Sequence, residues 1–551
     1  MQKITKSSTA EYFAKNLQQV GFSSSTKAVL TTLKESVDNS LDACEEAGIA
    51  PHIKVKIKKE GMGSSKNVDL ISVVVEDNGP GLDEKNIAKV FGEYLASSKF
   101  GRGRCSRGQQ GIGISAATTW AQLTQARGVH VSSKLKNSPK AFCVVVNMDI
   151  KNNKGVLKNK TSFHWEAKKQ GLKVEFLVDG RVQLKGEGGL ITYLEGTALV
   201  NPHLELEYEL LDQPFRKIER VSNKVPKIPP SSLPHPHTMK LGDFLQHASF
   251  YASLSLKKFL KTAFSRITDK SISLMKEKGL TEGLLKKTVR SIGEKDYKHI
   301  FSLLYEIDFP KPSSQSVLAV GEEALAESIN RLGDIDFFSV ITRKPKVCDY
   351  KSVIVEVALA RLNIKKKEEE GIQLLRFANR VPLQFDKASC AITKSVESVN
   401  WRAYGLSQSK KSLPLGPYVF AVSVTSPFIK FKNASKETID ASEELVEEIR
   451  LALMQAGQKL KKHIRKEKNT ADLIRKKEYI EKFAPILIQK LKDITGASQK
   501  EIEGAQRGLY AILSKDTVKA EKALGDARQE VEKLKAKMGS RLTYKTDNEA
   551  V

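Results

Sequence analysis

The pattern of apolar positions near the start of the chain predicts an amphipathic helix. Apolar residues recur at three- and four-residue spacing at Leu30, Leu33, Val37, Leu41 and Cys44. In the same stretch Glu35 and Asn39 are four residues apart, so they share a helical face that points away from this apolar stripe. Asp38 and Asp42 add further acids to the segment. Taken alone, such a segment is interpreted as a helix with a solvated outer face.

Apolar runs further along the chain predict strands in two separate regions. In the first 230 residues the runs are HIKVKIK, LISVVVEDNGPGL, FCVVVNMDI and KVEFLV, interspersed with helical patterns, which is typical of an α/β sandwich. SVIVEVALARL, LLRFANRVPLQF and YVFAVSVTSPFI predict a second α/β domain. From Lys436 onward, apolar residues at helical spacing predict one long helix that resembles a stalk.

Linker-like segments divide the chain. The proline-rich stretch VPKIPPSSLPHPH interrupts regular structure, and residues from about 240 to 308 then show only short helical patterns. KPSSQS is a second linker candidate, and beyond about residue 494 the chain is charged with a weaker helical signal, which predicts a mobile segment. We therefore expect four segments, at residues 1–230, 231–310, 311–470 and 471–551.

Composition is that of a globular, multidomain protein. The chain has 551 residues, 40% of them hydrophobic and 28% charged, and no apolar run approaches the roughly 18 residues of a membrane span. The five cysteines are far apart and form no CxxC pair, so neither a zinc site nor a disulfide framework is indicated. The N-terminal segment lacks the apolar core of a signal peptide, and the protein is expected in the cytoplasm, without membrane contact.

The charge balance favours a polyanionic partner. The formal net charge is +27, and residues 459–492 contain twelve Lys or Arg against four Asp or Glu. Such a run is either a solvated helix face or a surface for nucleic acid or a partner protein.

A nucleotide site is indicated by two loops. No glycine is followed by lysine, which excludes the usual phosphate loop. In SRGQQGIGIS, glycines at 108, 111 and 113 leave backbone N–H groups free to surround phosphate oxygens, although a plain flexible loop fits equally. In EDNGPGL, Asp77 ends a buried strand and could accept a hydrogen bond from the adenine amine, or it could form an ordinary Asx turn.

In this order, ExxxN on a helix, DNGPGL after a strand and a glycine-rich lid together resemble the GHKL ATPases, a superfamily that includes gyrase, the heat-shock chaperone, histidine kinases and MutL. The resemblance implies a Bergerat-type α/β sandwich in which Asn39 holds a magnesium ion and Glu35 is the general base. It also implies nucleotide contacts at Asn39, Asp77, Gly79, Gly81, Ser98, Lys99, Arg107, Gly108, Gln109, Gln110, Gly111, Ile112, Gly113 and Lys436.

Further phrases narrow the resemblance. NSLDACEEAGIAPHIKV, SSKFGRGRCSRGQQGIGISA, NPHLELEY, PHPHTMKLGDF, RFANRVPLQFD and SPFIKFKNASKE resemble the B subunits of type IIB DNA topoisomerases, in order, from about residue 5 to 468. The family implies an ATPase domain, a helix-two-turn-helix insert and a transducer ending in the stalk helix. It also implies that ATP drives self-dimerisation through a strap at residues 1–20, that a tyrosine-bearing A subunit cleaves double-stranded DNA in an A2B2 heterotetramer, and that Lys436 reaches the terminal phosphate.

One departure from the family pattern and four alternative functions have to be considered. Where the family often has Gly-Thr, this chain has Gly171-Leu172, and Thr197 does not obviously supply the missing hydroxyl. A clamp that binds ATP without hydrolysis is therefore an alternative to an enzyme. A histidine kinase is excluded because no histidine precedes His52, and MutL-like repair does not account for the helical insert. Asp334 and Asp336 could bind magnesium for DNA cleavage, but loop carboxylates are the preferred interpretation.

Overall fold

The computed structural model of the chain describes residues 7–96, 103–108, 111–166, 168–364, 370–433 and 435–539. The N-terminal part is built on one mixed sheet of eight strands in the order β5-β4-β3-β6-β2-β1-β7-β8. The strands are β1 (His52–Met62), β2 (Asp69–Glu76), β3 (Val129–Lys134), β4 (Ala141–Asp149), β5 (Lys154–Phe163), β6 (Gly171–Gly180), β7 (Glu205–Leu210) and β8 (Arg216–Ile218). All neighbours are antiparallel except β1 and β7.

One face of this sheet is covered by helices. Along β1, Ile53, Val55 and Ile57 are buried while the intervening lysines face outward, as the period-2 pattern predicts. The helices are α1 (Thr9–Lys15), α2 (Ser25–Glu46), α3 (Glu84–Gly92), α4 (Gly113–Gln125) and α5 (Leu190–Val200). The predicted α/β sandwich is confirmed.

Residues 241–306 form the predicted helical insert, with a core of its own around Phe244, Phe259 and Ile300. Its five short helices are α6 (Leu241–Ser249), α7 (Leu256–Ala263), α8 (Asp269–Glu277), α9 (Glu282–Lys286) and α10 (Glu294–Glu306). The proline-rich stretch before it has no regular element longer than a single 3-10 turn, so its interpretation as a break between elements is confirmed.

The following α/β region is the transducer-like part. Its sheet runs β10-β11-β14-β12-β13, and β9 also pairs with β11. The elements are α11 (Glu322–Ile329), β9 (Ile335–Thr342), β10 (Lys346–Cys348), β11 (Lys351–Leu362), β12 (Gln373–Ala378), β13 (Val381–Pro382), α12 (Ala391–Ser398) and β14 (Tyr418–Thr425). Its core packs Trp401 and Phe420 against the first part of the stalk helix, α13 (Glu443–Thr495).

The stalk differs from the sequence prediction at both ends. The helix α13 begins at Glu443 and not near Lys436, because Lys436 has a left-handed backbone (φ 55°) and Ile439 forms a bridge with Phe431. It continues to Thr495, so the boundary placed at residue 470 lies inside a helix. The weak helical signal beyond residue 494 was also misleading, since a second long helix, α14 (Gln499–Gly539), packs back along α13. Within the described ranges, no helix combines the length and apolarity needed to cross a membrane.

Candidate active site

A cavity of about 220 Å³ opens beside α2, and several of the predicted nucleotide residues lie in its wall. These residues are Glu35, Asn39, Asp77, Gly81, Gly108, Gly111, Ile112, Gly113 and Lys436. The apolar part of the wall includes Leu82, Phe91 and Val174. The cavity therefore combines a flat apolar surface with polar groups from four segments of the chain.

Helix α2 presents Glu35 and Asn39 to this cavity. It begins after Ser24, whose side chain accepts a hydrogen bond from the N–H of Lys27. The predicted apolar stripe of α2 is buried against the sheet, so the opposite face carries both polar residues to the cavity wall. The i, i+4 spacing thus predicted their shared orientation correctly.

Asp77 lies at the end of β2, buried at the bottom of the cavity. Its carboxylate accepts hydrogen bonds from the Ser40 hydroxyl (2.7 Å), the Gly79 N–H (2.9 Å) and the Leu172 N–H (3.2 Å). Burial raises the pKa of Asp77, while these donors favour the charged form. The Gly79 contact is the Asx turn that the sequence left open. It uses Oδ1, so Oδ2, which is bound only to Ser40 among these donors, keeps a lone pair for a ligand.

Two glycines allow the backbone to pass closely around the cavity. Gly81 has a positive φ of 71°, and a Cβ there would lie 2.5 Å from the carbonyl oxygen of Lys134. At Gly113, the first residue of α4, a Cβ would overlap the Glu35 carboxylate. The glycine at 113 therefore lets Glu35 lie against the N-terminal end of α4, where helical N–H groups and the helix dipole favour an anion.

The lid contributes backbone groups to the cavity wall, while the Arg107 side chain binds acids of α2. The Arg107 guanidinium is fully buried and pairs with Asp42 (2.8 Å) and Glu45 (2.7 Å). Two acids of α2 therefore bind the Arg107 guanidinium, and neither Arg107 nor Asp42 lines the cavity, so the contact of Arg107 with the nucleotide stays a prediction. Gly108 and Gly111 do lie in the cavity wall. The predicted contacts Ser98, Lys99, Gln109 and Gln110 lie outside the described residues.

Lys436 enters the cavity wall from the transducer-like part. Its Nζ donates to the backbone carbonyl of Arg107 at 3.0 Å. Two lysines that lie close to it in sequence do not enter the cavity wall: Lys430 is exposed and pairs with Asp440 at 2.7 Å, and Lys432 is exposed. The geometry therefore distinguishes Lys436 from its neighbours.

A buried group behind Glu35 was missed by the sequence analysis. Asp38 accepts a hydrogen bond from the Tyr193 hydroxyl at 3.0 Å, and burial raises the pKa of Asp38 to about 6. Burial likewise lowers the pKa of Lys34, one turn earlier on the same helix. Asp38 precedes Asn39 directly, but only the position of Tyr193 in the fold reveals that its carboxylate faces α5 and not the nucleotide cavity.

Leu172, which replaces the threonine often found in the family, still holds the Asp77 carboxylate through its backbone. The Leu172 side chain lines the cavity, and its backbone both donates to the Asp77 carboxylate and accepts from the Asp77 N–H (2.9 Å). The Thr197 hydroxyl donates a hydrogen bond to the carbonyl of Tyr193 within α5 (2.8 Å). It therefore does not replace the threonine hydroxyl that the family often has at the position of Leu172. The hydroxyl that donates a hydrogen bond to the Asp77 carboxylate belongs to Ser40 instead.

The acid pair at Asp334 and Asp336 has structural partners. Asp336 binds the Arg361 guanidinium at 2.7 Å, and Asp334 accepts from the Asn363 side chain at 2.8 Å. Neutralisation by an arginine disfavours a magnesium ion at this position. The structural interpretation of these carboxylates is therefore supported.

Comparisons with known proteins agree with this geometry. A family model described as histidine kinase-, DNA gyrase B- and HSP90-like ATPase matches residues 25–152. A second model, topoisomerase VI B subunit, transducer, matches residues 312–476. Among solved structures, the ATPase region of Saccharomyces cerevisiae topoisomerase II is similar over 83% of this chain and 95% of that chain, at 11% identity and a TM-score of 0.40, a value too low to support any conclusion about function.

Named relatives extend over nearly the whole chain. The B subunit of type 2 DNA topoisomerase 6 from Archaeoglobus fulgidus is 36% identical over 496 residues, covering 90% of this chain and 80% of the relative. The protein of the same name from Pyrococcus furiosus is 31% identical over 577 residues, covering 96% of this chain and 98% of the relative. With the matching site geometry and both family models in the expected order, the chain belongs to the family of type 2 DNA topoisomerase 6 B subunits.

Proposed function

We propose that this chain is the ATP-binding and ATP-hydrolysing subunit of a type IIB DNA topoisomerase. The observation that carries the proposal is the convergence of Glu35, Asn39, Asp77 and Lys436 on one cavity, formed by two parts of the chain. In this role the chain is the gate, and a tyrosine-bearing A subunit makes the double-strand break. Segments 1–230 and 231–310 correspond to the ATPase domain and the helix-two-turn-helix insert. The segment that begins at residue 311 corresponds to the transducer, whose stalk helix α13 continues past residue 470.

The cavity fits an adenine nucleotide. The free lone pair of Asp77 Oδ2 suits the exocyclic amine of adenine, and Leu82, Phe91 and Val174 supply the apolar walls for the ring. The beginning of α4 at Gly113 and the backbone at Gly108 suit the phosphates. Asn39 offers the one amide oxygen expected for magnesium, which keeps few protein ligands and would neutralise phosphate charge when bound.

Two side chains carry the proposed chemistry. Glu35 accepts the proton of the attacking water, because its carboxylate lies against Gly113 at the N-terminal end of α4, where the terminal phosphate is expected. Lys436 provides a positive charge from the transducer side, so that loss of the terminal phosphate changes a contact between the two domains. As the family resemblance implies, ATP binding would also hold two copies of the chain together, with residues 1–20 as the strap.

The strap prediction concerns a segment that packs on its own chain where it is described. Ser8 donates its hydroxyl to the Ile150 carbonyl (2.7 Å), and Phe13 stacks on Tyr94 with ring centroids 4.9 Å apart. An exchange of this segment between two copies would require these contacts to open and would remove Ala10, Leu17 and Val20 from the core.

The test uses the purified full chain. We expect it to hydrolyse ATP and to dimerise with a non-hydrolysable ATP analogue, but to leave supercoiled plasmid unchanged until a tyrosine-bearing A subunit is added. Addition of that protein should give an A2B2 heterotetramer that relaxes and decatenates double-stranded DNA. Binding of ATP without phosphate release would favour the non-hydrolysing clamp, and plasmid cleavage by this chain alone would contradict the division of roles.

A further inference from the structure

A chain of hydrogen bonds, closed into a ring by the backbone between Ser426 and Lys436, connects the lid, helix α2 and the transducer-like part. It begins at residues 103–108 of the lid, passes through Asp42 and Glu45 on α2, and reaches the β12–β13 turn at Arg380. From this turn it continues to the loop that carries Lys436, which returns to the lid at Arg107.

The first half of the ring is a buried ion cluster. Glu45 accepts from the Arg107 guanidinium (2.7 Å) and from both terminal nitrogens of Arg380 (2.9 and 2.8 Å). Burial alone would raise the pKa of Glu45, but the two arginines hold it well below its usual value. His203 Nε2, 2.8 Å from Glu45, satisfies the same carboxylate, and burial lowers the pKa of His203. The cluster therefore balances two cations with two anions, Glu45 and Asp42.

Asp42 extends this cluster to the lid backbone at the cavity. Its carboxylate accepts from the Arg107 guanidinium and also from the N–H groups of Arg107 (3.4 Å) and Gly108 (3.2 Å). Gly108 is itself part of the cavity wall. The position of the cluster therefore affects the backbone that would surround the phosphates.

The second half of the ring depends on a tight turn. The β12–β13 hairpin turns at Asn379 and Arg380, both with positive φ (48° and 64°), as a two-residue type I′ turn requires. The Asn379 side-chain oxygen accepts from the N–H of Ser426 at 2.9 Å. Ser426 directly follows β14 and begins the loop that leads to Lys436. The same turn thus holds Glu45 with one residue and the Lys436 loop with the other.

From this arrangement we infer that Arg380 is a positioning residue for the nucleotide reaction: by pairing with Glu45 it holds the turn, and through Asn379 and Ser426 it places Lys436 against the lid. The inference rests on the proposed ATP hydrolysis and on the proposed role of Lys436. It adds a residue that lies outside the nucleotide cavity and acts through another side chain.

A double-mutant cycle on the full chain tests this inference. We expect Arg380→Gln to lower kcat for ATP hydrolysis at least fivefold while KM for ATP stays within threefold. If Arg380 acts through Lys436, adding Lys436→Ala to Arg380→Gln should lower kcat by less than threefold further, although Lys436→Ala alone lowers it about tenfold. A lower melting temperature is expected in either case, because a buried ion pair is broken. A purely structural role would give single effects on kcat that multiply.

Two further variants keep the test interpretable. Asn379→Gly retains the positive φ of the turn and the ion cluster but removes the acceptor for Ser426, so it should reproduce the loss of kcat even if Arg380→Gln fails to fold. Arg343→Gln is the matched control, since Arg343 pairs with Glu448 in a similar two-nitrogen contact within the transducer-like part (2.7 Å). Its kcat should equal that of the wild type.

The outcomes separate this inference from the proposed function. Absence of hydrolysis by the wild type, or an unchanged kcat in Lys436→Ala, would contradict the proposed function. Wild-type hydrolysis that falls in Lys436→Ala, with wild-type kcat in Asn379→Gly or multiplicative effects in the cycle, would overturn only the inference about Arg380.

Discussion

The acidic stretch on α2 has carboxylates at both ends, but the carboxylate at one end faces a cavity and those at the other end are buried in ion pairs. Glu35 and Asn39 face a cavity, with backbone of α4 nearby. Two turns later, Asp42 and Glu45 are buried against Arg107 and Arg380, with every carboxylate closely paired. The surroundings of each acid therefore decide its role: a carboxylate that faces an open cavity can react, whereas Glu45, between two guanidinium groups, holds parts of the fold together.

The largest expected effect comes from removing the acid that faces the cavity. Glu35→Ala should lower kcat for ATP hydrolysis by about 10²- to 10⁴-fold, the usual range for loss of a general base, while the affinity for a non-hydrolysable analogue stays within a few-fold. Steady-state phosphate release and calorimetric titration measure the two quantities. Glu60→Ala, at an exposed position on β1, is the control. Wild-type turnover in Glu35→Ala would remove the difference between the two ends of the helix.

Removing an acid of the paired end should lower stability as well as turnover. Glu45→Gln leaves Arg107 and Arg380 without their shared counter-charge, and breaking one side of a buried pair costs about 3 to 5 kcal/mol. Calorimetric melting of the full chain should show a much lower transition temperature for the ATPase part than in Glu60→Gln. Turnover should fall about as far as in Arg380→Gln, because the same ion pair is lost, and unchanged melting would contradict the stabilising role of the pair.

Asp77 should affect binding and not turnover. Asp77→Asn replaces one carboxylate oxygen by an N–H₂ group. With the remaining oxygen still accepting from Gly79 and Leu172, the amide presents a donor to the adenine amine in place of Oδ2. A hydrogen bond to a charged group contributes about 1.5 to 3 kcal/mol, so the dissociation constant for an ATP analogue should rise about tenfold or more. Titration calorimetry gives this value, and a proportionate loss of kcat at saturating ATP would contradict the assigned role.

The smallest expected effect is a change in pH dependence at Asp38. Its folded pKa of about 6 lies above the unfolded value of 3.8, so the unfolded chain releases this proton first as pH rises. The group therefore lowers the free energy of unfolding progressively between about pH 4 and pH 6. Asp38→Asn removes that decline and should gain about 1 kcal/mol relative to wild type between pH 5 and pH 7.5. Melting curves at the two pH values test this, and a constant difference would exclude a raised pKa.

Local patterns predicted the open end of α2 well because they depend on few residues. The i, i+4 spacing placed Glu35 and Asn39 together, and a strand followed by glycines placed Asp77. The paired end was not predicted, because Arg380 and Glu45 are 335 residues apart in sequence and no local pattern encodes their contact. The strand β5 was missed for a different reason: it is an edge strand whose residues are nearly all exposed, so it lacks an alternating apolar signal.

The helical hairpin of α13 and α14 also has a mechanical consequence. After Glu467, which pairs with Arg361 on β11, about 28 further residues of α13 extend as an arm of about 40 Å. Pro485 lies in this arm and lacks the N–H that would bond to the previous turn, so a single helix would bend most easily there. The packing of α14 along α13 stiffens the arm at that point, so the arm moves as one rigid rod that is fixed only at its base. A tilt of about 10° at its base moves the far end by about 7 Å. A small rotation of the transducer sheet therefore becomes a displacement at the far end that is large enough to break or form hydrogen bonds there.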